Sequence, residues 1–184
     1  MPQPHKATRQ GGDLNFIDER HCYIDVPTPA GSSIRIPFKA LPVFSDSKTV
    51  VYNDEKVIGR SVPVKTFSHG ENRTIGVKIK FFILTDDDKL IVPSQVRALQ
   101  SCSYPRESAA APYEPPAICQ LKCGTLFASG PLCVVLKSYT MNYPDDVAWV
   151  EDINFPCKFE METSWDVVYI STSLPGQSKI LTDI

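Results

Sequence analysis

The side chains that could do chemistry in this chain are cysteines, histidines and clustered carboxylates, and their spacing gives each group a structural reading. Cys119 and Cys123 are four apart in Ala117 to Cys123, a segment that reads as a strand. Four strand residues span ~13 Å, whereas two ligands of one zinc ion lie within about 4 Å of each other. No Cys-x-x-Cys pair occurs, so no zinc site is expected. Asp86-Asp87-Asp88 begins like a calcium loop, but Ile91 and Arg97 stand where such a loop needs glycine and glutamate. A solvated strand end is the expectation there.

Nucleophilic catalysis finds no footing either. The histidines are His5, His21 and His69, the first in a loose polar stretch and the last in an expected turn. His21 and Cys22 are neighbours, and neighbours on an extended chain point to opposite faces, so the imidazole would not activate the thiol. There is no Gly-x-Ser-x-Gly elbow and no glycine-rich phosphate loop. Asp145, Asp146 and Glu151 are expected to decorate a loop. Lys78 and Lys80 form a small positive patch whose plain reading is solvated strand charge. No catalytic, cofactor-binding or metal-binding residue is assigned, and the expectation is a protein that is not an enzyme and needs no cofactor.

Six cysteines permit a disulfide set, but most read as buried thiols that pack as small apolar groups. The sharper alternatives are a Cys123–Cys133 disulfide across a hairpin, since these two flank the Gly124 to Pro131 loop, or a cross-link between subunits after release into an oxidising medium. Met1-Pro-Gln-Pro-His-Lys has no apolar core and does not read as a secretory signal, so folding in a cytoplasm is expected. No apolar run approaches the ~20 residues needed to cross a bilayer. A formal net charge of -2 gives no global basic field to attract nucleic acid.

The elements that must position these residues are mostly strands. With 184 residues, 42% hydrophobic and 22% charged, the chain can build one substantial core. Sixteen prolines against nine glycines favour strands separated by stiff connections over long helices. In Thr74 to Leu84, Ile75, Val77, Ile79, Phe81 and Ile83 fall on one face, five matches to a period of two. Val62 to Phe67 precedes a Ser68 to Asn72 turn, which predicts a hairpin with that strand. Thr49 to Tyr52 and Lys56 to Ile58 bracket a turn at Asn53-Asp54-Glu55. Ser94 after Pro93 predicts a helix from Ser94 to about Cys102. Leu132, Val134, Leu136, Ser138 and Thr140 alternate with Cys133, Val135, Lys137, Tyr139 and Met141, and Phe159, Met161, Thr163 and Trp165 share a face further on. Tyr139, Tyr143 and Trp149 are candidates for core or for oligomer and partner contacts.

The division expected is an N-terminal arm over 1–48, a β domain over 49–172 and a C-terminal tail over 173–184, the domain carrying the 94–102 helix and a proline-rich linker at 103–116. Within the arm, Phe16 to Phe44 is broken by Pro27, Pro29, Pro37 and Pro42 and reads as a draped segment with one edge strand near Ser33 to Phe38.

The succession of Pro115-Pro116, a strand ending Lys122-Cys123-Gly124, the strand Val134 to Thr140 running into Met141-Asn142-Tyr143-Pro144, and Phe155-Pro156 opening a Phe159-Glu160-Met161 strand carries a resemblance. Over about Val50 to Val168 the chain resembles the tail-tube initiator or baseplate-hub adaptor family of contractile-tailed phages and related contractile injection systems. The resemblance implies a mainly β fold, a two-sheet β-sandwich with one short helix; the extended N-terminal arm, the proline-rich linker and the abundant cysteine are departures from the family's pattern. It further implies a structural virion protein that closes into a homohexameric ring at the junction of tail tube and baseplate. Such a ring would nucleate the tube and surround the channel for DNA and the tape-measure protein. Its partners would be itself, the tail tube protein, neighbouring hub proteins and the tape-measure protein, with DNA only in transit and no membrane. Assembly in a host cytoplasm and residence in the virion tail follow from the same resemblance. Two other readings stay open: a tail terminator ring at the neck, and a β-sandwich module that recognises a glycan or another surface ligand through its loops.

Overall fold

A computed structural model describes residues 22–28, 31–106, 114–127 and 130–169. The fold is mainly β with one helix, as the alternation predicts. Seven strands form one antiparallel sheet: β1 (Cys22–Pro27), β2 (Ser33–Pro37), β3 (Val43–Ser47), β6 (Thr74–Phe82), β7 (Cys119–Cys123), β8 (Leu132–Asn142) and β11 (Lys158–Val167). Their spatial order is β2-β1-β7-β8-β11-β6-β3. Two two-stranded sheets stand beside it, β4 (Val50–Glu55) with β5 (Val64–Gly70), and β9 (Trp149–Val150) with β10 (Phe155–Pro156). The helix α1 spans Asp88–Ser101.

The two edge strands of the large sheet, β2 and β3, are consecutive in sequence and joined only through residues 38–42. Laid flat, seven strands separate their edges by ~29 Å, six spacings of ~4.8 Å. The link can reach at most ~22 Å. The sheet must therefore curl until its edges approach, and the Phe38 and Phe44 rings, one from each edge, meet edge-on at 6.4 Å between centroids. Where the resemblance implies two stacked sheets, a single curled sheet supplies both walls of the core. Trp165, Phe159 and Met161 of β11, Ile75, Val77 and Ile79 of β6, Ile24 of β1, Ile36 of β2 and Leu121 of β7 fill it, with Val92, Val96 and Leu99 of α1 covering one side.

Residues 22–47 correct the expected arm. The strand Ser33–Pro37 lies at an edge, as expected, but β1 lies inside the sheet between β2 and β7, and β3 closes the far edge on β6. Prolines at 27, 37 and 42 delimit these strands rather than preventing them: Pro27 and Pro37 are terminal strand residues and Pro42 lies in the link. Residues 1–21, the 107–113 part of the linker and the 173–184 tail lie outside the described residues.

The hairpin pairings also differ. β5 pairs with β4, not with β6, and the turn falls at residues 56–63 rather than at Asn53 to Glu55. Gly59 supplies it, at φ +88, with the Arg60 N–H donating to the Val57 carbonyl. β6 instead lies between β3 and β11, where its apolar face is buried on the core.

β8 contains a bulge that the simple alternation misses. Ser138 faces Ser164 and Leu136 faces Trp165, so Lys137 is an extra residue. An extra residue reverses the parity of the strand. Val134 and Leu136 are buried before it; after it the inward residues are Tyr139 and Met141, not Ser138 and Thr140. On β11 the expected face holds throughout, and its polar member is satisfied: Thr163 Oγ1 donates to the Val77 carbonyl at 2.8 Å and accepts from Trp165 Nε1 at 2.7 Å.

The helix begins six residues before the expected start. Thr85 and Asp88 form a reciprocal cap: the Asp88 N–H donates to Thr85 Oγ1, and the Thr85 and Leu84 N–H groups donate to Asp88 Oδ2. Lys39, from the link between the sheet edges, also pairs with the Asp88 carboxylate. Pro93 therefore lies inside the helix, where it forfeits one backbone bond, and Ser94 Oγ donates to the Ile91 carbonyl instead of capping. The Asp86 to Asp88 run is thus not simply a solvated strand end, since Asp88 is buried.

Burial alone would raise the Asp88 pKa, but Lys39 and the donors at Leu84 and Thr85 hold it down, to about 2 from an ordinary 3.8. A depressed carboxylate pKa contributes stability that is complete above the unfolded value and lost as pH falls through the folded one. The expected outcome is a loss of ~1–2 kcal/mol for Asp88→Asn at pH 7. The gap between variant and wild type should shrink as pH drops from about 4 to about 2. Denaturant titrations across that range check it, and a pH-independent gap would refute the pairing.

Candidate functional site

The sequence-predicted chemical groups are not brought together. Asp145, Asp146 and Glu151 are exposed in the connection between β8 and β11. His69 is exposed on β5, where Ser68 Oγ lies 3.1 Å from its Nδ1. That serine–histidine contact escaped the sequence reading because alternation assigns neighbours to opposite faces, and this stretch of β5 opposes a register shift in β4. No carboxylate bonds to the imidazole among the described residues, so the pair lacks the third group that would orient a base. His5 and His21 lie outside the described residues. Among the described residues no three of His, Cys, Asp or Glu are grouped to hold a metal ion. Lys78 is held between Glu160 and Glu162 of β11, at 2.8 and 3.0 Å, which neutralises the small basic patch.

Cys102 and Cys119 are buried thiols, the plain reading, while Cys123 takes a partner other than the Cys133 of the sharper alternative. Cys22 and Cys123, opposite one another on β1 and β7 with Cα atoms 4.0 Å apart, form a disulfide. The Cys22 carbonyl bonds to Phe38 on the β2 side. Toward β7 it is therefore a non-hydrogen-bonded position, where facing side chains come closest. Cys133 cannot take its place: it is aligned with outward-facing Gln120, while Cys119, Leu121 and Cys123 point inward. Cys133 and Cys157 are free and half-buried.

Of the three candidate contact aromatics, Tyr139 is half-buried against the core, brought there by the bulge. Its partial burial, with Tyr104 alongside, pushes the hydroxyl pKa up. Tyr143 and Trp149 are half exposed in the connection after β8. Tyr143 packs against Phe155 and Phe159, at 6.4 and 5.8 Å between ring centroids. An open cavity of about 680 Å³ lies beside it, lined in part by Asn142, Asp146, Lys158 and Glu160.

The surface with the strongest claim to function is one the sequence reading did not single out. β4 and β5 pair only with each other and leave the large sheet. Val50, Tyr52, Val57, Val62 and Phe67 are exposed on this hairpin, and Ile58 at its turn is wholly so, at 103%. Tyr52 and Phe67 face each other across the strands, edge-on at 6.2 Å. A two-stranded hairpin is marginal in water by itself, and apolar side chains left exposed together make this surface the candidate for an interaction. Burying six such side chains would release on the order of 10 kcal/mol before the costs of association. The edge strands carry the same signature: Ile34 on β2, Val43 on β3 and Leu41 between them are exposed, and among the described residues each edge strand has a neighbour on one side only. The available signal was the apolar content of Val50 to Phe67, which alternation converts into a buried face when the pairing partner is misassigned.

Against known proteins, the chain matches no family model and no curated sequence.

Because Ile58 and Val62 touch water and not the core, Ile58→Asp with Val62→Asp is expected to shift folding stability by no more than ~0.5 kcal/mol. The same pair should sharply reduce binding of a hydrophobic fluorescent dye. Thermal melts and dye titration check both, and a large loss of stability would show that the hairpin is packed on the body after all.

Proposed function

We propose that this chain is a non-enzymatic structural protein that forms a ring at the junction of tube and baseplate in a contractile tail. It nucleates tube assembly there and surrounds the channel. The observation that carries this reading is the β4–β5 hairpin, which stands apart from the sheet with apolar side chains bare on it. Those residues are completed by neighbouring subunits. Ile34, Leu41 and Val43, uncovered along the seam where β2 and β3 approach, add apolar surface through which the same subunits meet. The resemblance over Val50 to Val168 supplies the kind of assembly, and a ring of six is the stoichiometry it implies. The tail tube protein, hub proteins and the tape-measure protein are the partners in this reading.

Sedimentation velocity over a range of concentrations tests it. A hexamer, or a ring that grows with concentration or on adding tail tube protein, is the expected result. Ile58→Asp with Val62→Asp should weaken that association at least tenfold. A monomer that persists both alone and with tube protein would overturn the reading. Labelling intact particles separates a baseplate position from a terminator at the neck.

A second reading is favoured by the cavity beside Tyr143. An aromatic face with amide, carboxylate and ammonium groups around it suits a saccharide. Titration of a monomeric preparation with host surface glycans distinguishes it: saturable binding lost in Tyr143→Ala supports recognition, and its absence rules that out.

A further inference from the structure

Two thiols that neither the ring nor the cavity employs lie against each other in the interior. Cys102 follows the last turn of α1 and Cys119 opens β7, and their Sγ atoms are 3.4 Å apart. Both are buried, at 1% and 0% exposure. Each is fixed by its own element. Cys102 donates backward to the Ala98 carbonyl at 3.2 Å, next to Leu99 in the core, while β7 is paired on both sides, to β1 and β8. The chain between them is drawn together at Arg106 and Glu114, whose backbones exchange two bonds of 3.0 Å. The fold thus holds two cysteines of different elements within ~1.4 Å of the ~2.05 Å disulfide bond length.

We propose that Cys102 and Cys119 are an oxidisable dithiol that closes into a second intrachain disulfide when the protein meets a small-molecule disulfide. The site is distinct from the Cys22–Cys123 bond, although both involve β7: one joins its end to β1, the other its start to the end of α1. The proposal stands apart from the ring reading, since it depends only on the interior of one chain.

The chemistry balances as thiol–disulfide exchange. Cys102 is the first nucleophile, because the Sγ–H of Cys119 donates to it and lowers its pKa, while the same contact and burial raise that of Cys119. The Cys102 thiolate attacks one sulfur of the oxidant, forming a mixed disulfide and expelling one thiolate. Cys119 then gives up its proton and attacks Cys102 Sγ, expelling the second. Two protein S–H groups become one S–S bond, and the oxidant leaves as two thiols. Burial makes entry wait on local opening at the end of α1, so the reaction runs over minutes to hours.

The test uses the intact purified chain and oxidised glutathione. After timed exposure, acid quenching and alkylation in denaturant, peptides are mapped without reduction. The expected product is a Cys102–Cys119 linked peptide that accumulates with oxidant, disappears with dithiothreitol, and accompanies a melting temperature several degrees higher. In Cys119→Ser the link cannot form, the rise in melting temperature vanishes, and glutathione stays attached at Cys102. The proposal is overturned if both cysteines of the wild-type chain stay fully alkylatable while half-buried Cys133 and Cys157 take up glutathione. That comparison needs no variant to fold.

Discussion

The curl of the seven-stranded sheet rests on one geometric constraint: opposite edges must be spanned by residues 38–42. Once that short link is made, β2 and β3 cannot part, and a sheet with two faces becomes a wall around one interior. The contacts that accompany it come from the link itself. Phe38 is wholly buried and meets Phe44, which in turn packs edge-on against Phe127 at 5.2 Å. Lys39 reaches Asp88 and so ties the start of the helix to the same seam. Helix placement, core closure and edge exposure are consequences of a single short connection.

The interior then divides its polar work among few groups. Thr163 and Asp88 are the buried polar or charged side chains among the described residues, and each has partners. No buried side-chain nitrogen or oxygen there lacks one. A core so fully satisfied gives a single arrangement rather than an ensemble. The apolar groups left over are outside, on the hairpin and at the margins of β2 and β3.

Much of the sheet was legible in the sequence because period-two alternation survives intact in β6 and β11, whose buried residues are the expected ones. What was hidden is instructive. One residue, Lys137, reverses β8 and turns Tyr139 inward, and a count of alternating positions cannot see an insertion whose cause is the partner strand. The helix start was missed because Ser94 after proline is a strong local cap signal, while the cap used, Thr85 with Asp88, gains its strength from Lys39, 49 residues away in sequence. Prolines punctuate β1 and β3 and give that stretch the pattern of a draped arm, yet strand termini tolerate proline. The hairpin β4–β5 was misassigned for a similar reason: adjacency favoured Asn53 to Glu55 as a turn, and the glycine that makes the real one lies further on. Of the candidate contact residues, Tyr143 and Trp149 are accessible, while the larger apolar surface drew no notice because it resembles half of a buried face.

The placement of β1 between β2 and β7 has a consequence for synthesis. On the ribosome β1 emerges early and can pair with β2 at once, but its other neighbour, joined through Cys22 and Cys123, is made 101 residues later. At ~5–20 residues per second that interval is ~5–20 s. During it Ile24 and Val26, later sealed in the core, have no second wall. Nascent-chain holding factors would have the strongest reason to engage this protein over that window, and the need persists until β8 and β11, which join β7 to β6, are also made.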